Sequence, residues 1–146
     1  MKEEENKIMA LVIDEKIKVI YKEPGKKCEI KEIGTSLKDY QNEVKGNIES
    51  IPFPGKDDVD IVLNDMGKLN GMKPNIVIPE YGDILMGPIF VVGVDERNCM
   101  WKSIPDEKIE ELVNYMEDHV LTKEKEENVY ERDEKSNESE NEMEER

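Results

Sequence analysis

Histidine is almost missing from this chain: His119 is the only one in 146 residues. Ser-His-Asp and Cys-His sites would both have to be built on it. It falls near the C-terminal end of a predicted helix, where the backbone's partial negative charge favours a cation. A structural role therefore outweighs a catalytic one. Cysteine is nearly as scarce. Cys28 and Cys99 lie far apart in sequence, and two thiols make no disulfide framework. One bridge between them stays open as an alternative, but the simpler expectation is two reduced, mostly buried thiols in a cytosolic protein. A zinc site would have to gather Cys28, Cys99, His119 and a carboxylate without the short ligand spacing that marks such sites.

Long apolar runs are missing too. No stretch of 18 or more apolar residues exists, which excludes a transmembrane helix of ordinary length. The first residues, Met1-Lys2-Glu3-Glu4-Glu5, are acidic and lack the apolar core of a secretory signal. Positive charge is in deficit: 21 Lys and Arg face 36 Asp and Glu, a net charge of −15. A chain with this field repels phosphate, so direct nucleic-acid binding and adsorption to an anionic membrane are both disfavoured.

What remains is enough for one modest domain, with 36% hydrophobic residues against 39% charged. Composition shifts sharply after Leu121. Residues 122–146 hold 11 acidic and 5 basic side chains, with Val129, Tyr130 and Met143 as the only apolar ones. Such a segment cannot offset the entropy of ordering, so an acidic, disordered or frayed tail is expected. The organisation expected is an N-terminal extension over 1–15, a domain over 16–121 and that tail.

Within the domain, Ile8 to Ile13 is a short apolar run that reads as a strand. Ile17, Val19 and Tyr21 alternate with Lys16, Lys18, Ile20 and Lys22, the pattern of a strand with one wet face. Glu23-Pro24-Gly25-Lys26 is a turn, and Lys27 to Ile33 returns as the second arm of a hairpin, with Cys28 and Ile30 on one side. Ser36 and Asp39 fit a capping box, with Leu37, Tyr40, Gln41 and Val44 as one stripe and Gly46 as the C-terminal stop. Asn47 to Phe53, cut by Pro52 and Pro54, reads as a sheet-edge strand or a strand end. Val59, Ile61 and Leu63 alternate with Asp60, Val62 and Asn64 in the next. Residues 65–75 are loop, Ile76 to Ile78 pair briefly, and Pro79 to Gly87 are loop again. Ile89 to Val94 is apolar at successive positions, so this strand should lie inside the sheet with both faces covered. Glu96-Arg97-Asn98 is a turn, and Cys99 to Ser103 its return strand. The last helix opens after Ser103-Ile104-Pro105 and buries Ile109, Leu112, Val113, Met116 and Val120. The fold class expected is α+β: a mostly antiparallel β-sheet with two main helices packed on it.

Few clusters carry chemistry. The glycine-rich stretch with Gly67, Lys68, Asn70, Gly71, Lys73 and Asn75 could hold a nucleotide with backbone N–H groups and two cations, though it forms no Walker sequence and turn residues are the commoner explanation. Asp57, Asp58 and Asp60, with Asp65 further on, lack calcium-loop spacing and read as a solvated turn. Together with Glu110, Glu111, Glu117 and Asp118 they make a candidate acidic interaction surface. Trp101 reads as sheet-face packing, with a partner anchor as the sharper alternative. No catalytic residue, metal or cofactor is implied.

Several stretches are distinctive in order and spacing. These are Lys18-Val19-Ile20-Tyr21-Lys22-Glu23-Pro24-Gly25-Lys26-Lys27, Val44-x-Gly46-x-Ile48-Glu49 and Asn64-Asp65-x-Gly67-Lys68-Leu69-Asn70-Gly71-x-x-Pro74-Asn75. Asp83-Ile84-x-x-Gly87-x-Ile89-Phe90-Val91-Val92-Gly93 and the helix from Asp106-Glu107-x-Ile109 follow. Over about residues 16–118 the chain resembles the domain of unknown function family 3846, a small domain common in phages, plasmids and other mobile elements of Gram-positive bacteria. The resemblance transfers no reaction and no catalytic residue. It implies an accessory protein of a mobile element, a setting in which small acidic proteins inhibit host or defence proteins. Pro105 stands where the family often has a capping hydroxyl, which leaves Ser103 or Ile104 as the expected cap. The expectation is a non-enzymatic, cytoplasmic protein that binds a basic host or defence protein, with nucleotide sequestration as the alternative.

Overall fold

The computed structural model describes residues 15–121. The strand expected at Ile8 to Ile13 and the tail over 122–146 lie outside the described residues.

The run Ile89 to Val94 forms most of β7 (Ile89–Asp95), whose first four residues are fully buried. A strand without a polar face must be covered on both sides, and the rest of the chain supplies the cover. Its neighbours in the plane are β1 (Lys16–Lys22) and β4 (Val59–Asn64), and β2 (Glu29–Gly34) and β3 (Ile48–Pro52) form the edges, in the order β2-β1-β7-β4-β3. A short β8 (Met100–Lys102) pairs with the end of β7, and every pairing is antiparallel. The class is α+β, as the sequence predicts.

The two helices lie on opposite faces. On one face Val19, Tyr21, Val62, Phe90 and Val92 pack against Val44 of α1 (Leu37–Val44), with Tyr40 and Trp101 at the margin. On the other face Ile20, Ile61, Ile89 and Val91 meet Leu112 and Met116 of α2 (Asp106–Asp118). That second face also receives a separate two-stranded sheet, β5 (Pro74–Ile78) and β6 (Asp83–Met86), joined by a 3₁₀ turn at Pro79–Tyr81. The outer edge of β5 is closed by the chain leaving α2, through Val77 N–H to His119 O at 2.9 Å and an isolated bridge between Ile76 and Val120.

Several expectations need correcting. Asp83–Met86 is a strand, not loop; four residues between Gly82 and Gly87 are too short to show a period. The supposed wet face of β1 is dry at its end: Ile20 and Lys22 are fully buried, because the β5–β6 sheet and α2 close over them. Nor does β4 have a polar face, since Val62 and Asn64 are buried beside α1. Ile30 is half exposed at the sheet edge, and the hydrophobic anchor of β2 is Ile33 instead, paired with Ile17. Cys99 is exposed in the β7–β8 turn, with φ of 54°, and only Cys28 is partly buried. Neither Ser103 nor Ile104 caps α2. Pro105 holds the cap position with no side-chain bond, and Ser103 Oγ accepts the Lys18 N–H at 2.8 Å instead.

The capping box at α1 is present, with Asp39 N–H donating to Ser36 Oγ at 3.0 Å and Ser36 N–H to the Asp39 carboxylate at 3.2 Å. Its far end differs from expectation. The left-handed residue is Lys45, with φ of 65°, one position before Gly46. Gly46 is needed for space: Asn64 Nδ2 donates to the carbonyls of Val44 and Lys45 at 3.0 and 3.1 Å, and a Cβ on Gly46 would stand 2.5 Å from that nitrogen. The buried amide thus satisfies helix-end carbonyls that would otherwise be orphans.

Two neighbouring substitutions should therefore act in opposite directions. Lys45→Gly removes a left-handed side-chain conformation and should raise stability by roughly 0.5–1 kcal/mol. Gly46→Ala should lower it by about 1–3 kcal/mol by displacing the Asn64 amide from its carbonyls. Urea unfolding midpoints of the two variants against the parent chain check both signs.

Candidate functional site

The residues of the predicted ligand stretch do not converge. Asn75 is buried and its side chain is fully used inside the protein. Its amide nitrogen donates to Lys22 O and Gly87 O, both at 2.9 Å, and its oxygen accepts from Lys22 Nζ at 2.7 Å. It is closed to a ligand. Gly71 has φ of 71°, which serves the turn, and Gly71 N–H donates to Lys68 O at 3.2 Å. Asn70 and Lys73 are exposed, and the Lys73 carbonyl accepts the Gly87 N–H at 2.7 Å. Gly67 is buried against Met86 O, where a Cβ would come within 2.9 Å.

Of that set, Gly67 and Lys68 line a cavity together. It is a groove of about 170 Å³ between the β3–β4 edge of the large sheet and β6. Ile51, Leu63, Leu69 and Ile84 give it apolar walls, and Glu49, Asp65 and Asp83 bring carboxylates to it. Lys68 is committed to an ion pair with Asp83, whose carboxylate also accepts the Ile84 N–H at 2.8 Å. The Glu49 and Asp65 carboxylates make no hydrogen bond or ion pair among the described residues. They reach the same face by register: Glu49 stands opposite Leu63, and Asp65 N–H donates to Asn47 O at 3.0 Å, one step further along. Sequence reading pointed at the lysines of this loop and missed Glu49 and Asp83, which join the groove only through sheet pairing.

The candidate acidic surface also divides. Asp57 and Asp58 lie in the β3–β4 turn beside the first turns of α2, where Asp58 pairs with Lys108 and Lys56 with Glu111 at 2.5 Å. The Lys108 ammonium holds the Asp58 carboxyl below its usual range. Asp60 projects to the α1 face of the sheet and accepts the Trp101 indole N–H at 3.2 Å. Glu110, Glu111, Glu117 and Asp118 all occupy the outward face of α2. Glu117 accepts the Cys28 N–H at 3.2 Å.

Trp101 packs edge-on to Tyr40 and Phe90, at centroid distances of 5.0 and 6.3 Å, so it serves the sheet face. Beside it a more open hollow of about 490 Å³ is lined by Tyr40, Val94, Cys99 and Met100 among others. His119 stacks on Tyr115 at 3.9 Å, and its Nδ1 lies 2.6 Å from Tyr115 O. Tyr115 in turn donates to Glu80 at 2.5 Å. These contacts knit α2 to the turn before β6. Among the described residues no group of three or more His, Cys, Asp or Glu is placed to hold a metal ion, and no helix is long and apolar enough to cross a membrane.

The buried Lys22 is the feature sequence reading did not foresee. Its ammonium reaches Asn75 Oδ1 and, at 3.3 Å, Glu23 O. Desolvation lowers its pKa, while the neighbouring Cys28 and Glu117 act the other way. Cys28 is pushed up to about 11, first by burial and then by the Glu117 carboxylate. A thiol held protonated in this way is a poor nucleophile.

The family described as Domain of unknown function (DUF3846) matches residues 17–117. The chain belongs to this family. No curated protein and no solved structure matches it.

Two outcomes follow from the Lys22 environment. Asn75→Leu strands a buried ammonium and should cost about 2–4 kcal/mol, whereas Lys22→Met with Asn75→Leu should cost less than the two single changes added together. Double-mutant analysis of denaturant unfolding measures that coupling. Between the ordinary thiol value of 9.0 and about 11, the unfolded chain releases the Cys28 proton and the folded one keeps it. Cys28 therefore makes stability fall as pH rises through that window. Cys28→Ala should show a shallower loss of melting temperature as pH rises from 9.0 to about 11.

Proposed function

We propose that the protein is a non-enzymatic accessory protein of a mobile genetic element, which engages a basic host or defence protein in the bacterial cytoplasm through its acidic surface. The observation that carries this reading is the outward face of α2. Its exposed positions are Asp106, Glu107, Glu110, Glu111, Asn114, Glu117 and Asp118, so six of seven are carboxylates. Side chains three and four apart on a helix lie roughly 5–6 Å from one another. A Lys/Arg groove built for phosphates can engage such a row. Asp106 and Glu111 are partly offset by Lys18 and Lys56, while Glu107 and Glu110 have no ion-pair partner among the described residues. Glu117 and Asp118 stand in the last turn of α2, which carries no basic residue. Negative charge there opposes the helix dipole by some tenths of a kcal/mol, so helix stability does not explain it. The described residues hold 21 acidic and 14 basic side chains, so the surplus belongs to the fold as well as to the tail.

Sequestration of a nucleotide is the second reading. Gly67 and Lys68 lining one groove is its support. Against it stand the three carboxylates of that groove and a volume of about 170 Å³, below the roughly 300 Å³ at which small-molecule pockets begin.

Immobilised full chain should retain a partner from host extract at low ionic strength and release it at high salt, because exposed charges are screened beyond about 10 Å at 0.1 M. Glu107→Gln with Glu110→Gln should weaken that capture while costing only some tenths of a kcal/mol of stability, the loss of the favourable charge of Glu107 in the first helical turn. Retention indifferent to salt and to this variant would sink the acidic-surface reading. A nucleotide panel that raises the melting temperature with concentration would favour the second one instead.

A further inference from the structure

We infer that the groove between β3 and β6 is a receptor for one arginine side chain of the partner. This rests on the reading above and gives the partner a chemical anchor separate from the α2 face. The groove's volume, about 170 Å³, suits one long side chain. Its walls suit one that is apolar along its stem and cationic at its tip. Ile51, Leu63 and Ile84 give apolar wall for methylenes, Leu69 stands at the rim, and Glu49, Asp65 and Asp83 bring acidic residues to the space.

Charge decides the sign of the guest. Lys68 neutralises Asp83, which leaves Glu49 and Asp65 as uncompensated charges at one small opening. Both line the same small groove, Glu49 from β3 and Asp65 from the turn that follows β4. A guanidinium offers five donors on a planar fork and can engage two carboxylates at once, where an ammonium is a single point charge. The stem of an arginine buries well along apolar surface while its head stays near water. Leu69, 80% exposed at the rim, and Met66, 42% exposed on the same loop, would be shielded by the backbone that carries the guest. The groove is held open from within. Gly67 lies against Met86 O with no room for a side chain, and Asn64 Oδ1 accepts the Met66 N–H at 2.8 Å, so the loop is braced on both sides.

The test is a titration of isotope-labelled full chain with the peptide acetyl-Gly-Arg-Gly-amide, followed by amide chemical shifts. Saturable shifts are expected at residues 65–69 and 83–86. The same peptide with citrulline, of equal length and no charge, should give none. Glu49→Gln with Asp65→Asn should weaken the arginine peptide by about tenfold or more, and Glu107→Gln with Glu110→Gln should leave it unchanged. Both groove carboxylates are exposed and unpaired among the described residues, and the spectrum itself reports whether each variant is folded. Shifts confined to α2, equal shifts with citrulline, or indifference to the groove variant would overturn the inference. Because the peptide is tested without a partner, loss of salt-sensitive capture with intact arginine titration would refute the α2 reading alone. The reverse pattern would refute the groove alone.

Discussion

A strand with no polar face imposes the plan of this molecule. From Ile89 to Val92 β7 exposes nothing, so each side of the sheet must carry a lid. At the order-of-magnitude rate of 1.5–3 kcal/mol for a fully buried aliphatic or aromatic side chain, covering both sides is worth far more than any surface ion pair here. One short helix suffices for the first face, because Tyr40, Trp101 and Phe90 interlock above it. The second face is wider, and α2 alone does not cover it. The β5–β6 sheet fills the remainder, and the chain after α2 seals its outer edge.

That second lid explains the internal polar chemistry. Once β5 lies over the end of β1, Lys22 has no route to water, and Asn75 supplies its acceptor while closing two backbone carbonyls. On the opposite side, Asn64 performs the same service for the end of α1. Neither asparagine is a ligand group. Each is a buried polar tie whose loss would leave several partners unsatisfied, a larger penalty than the net worth of one hydrogen bond. These ties belong to the stretches through which the family is recognisable. Lys22, Asn64, Gly67 and Asn75 in those stretches are explained by packing before any activity is invoked.

The proposed interaction surfaces are what the packing leaves over. The β5–β6 sheet does not reach the β3 edge, and the gap is the small groove with Glu49 and Asp65. The outward side of α2 is the other remainder, and it is acidic along its length. Both features are rich in carboxylates. They differ in kind, since the helix presents a solvated row whose attraction salt can screen, while the groove combines apolar walls with fixed carboxylates.

Periodicity, capping residues and turn chemistry are local signals, and they were sufficient for the antiparallel α+β class, the capping box at Ser36, the Glu23–Lys26 turn, the central place of β7 and Leu112 and Met116 as the buried pair of α2, though Ile109 and Val113 are only half-buried and Val120 lies past the helix end, bridged to Ile76. They could not foretell that Lys22 would be dry, that Gly46 yields space to Asn64 instead of turning the chain, or that Asp60 faces away from the other acids. Nor could they join Glu49 to Asp83 across 34 positions of sequence. The reason is physical: a residue's neighbours along the chain set its backbone preference, but its burial and its charge partners come from whatever another layer lays over it, and that layer is fixed only when the two faces of β7 are covered.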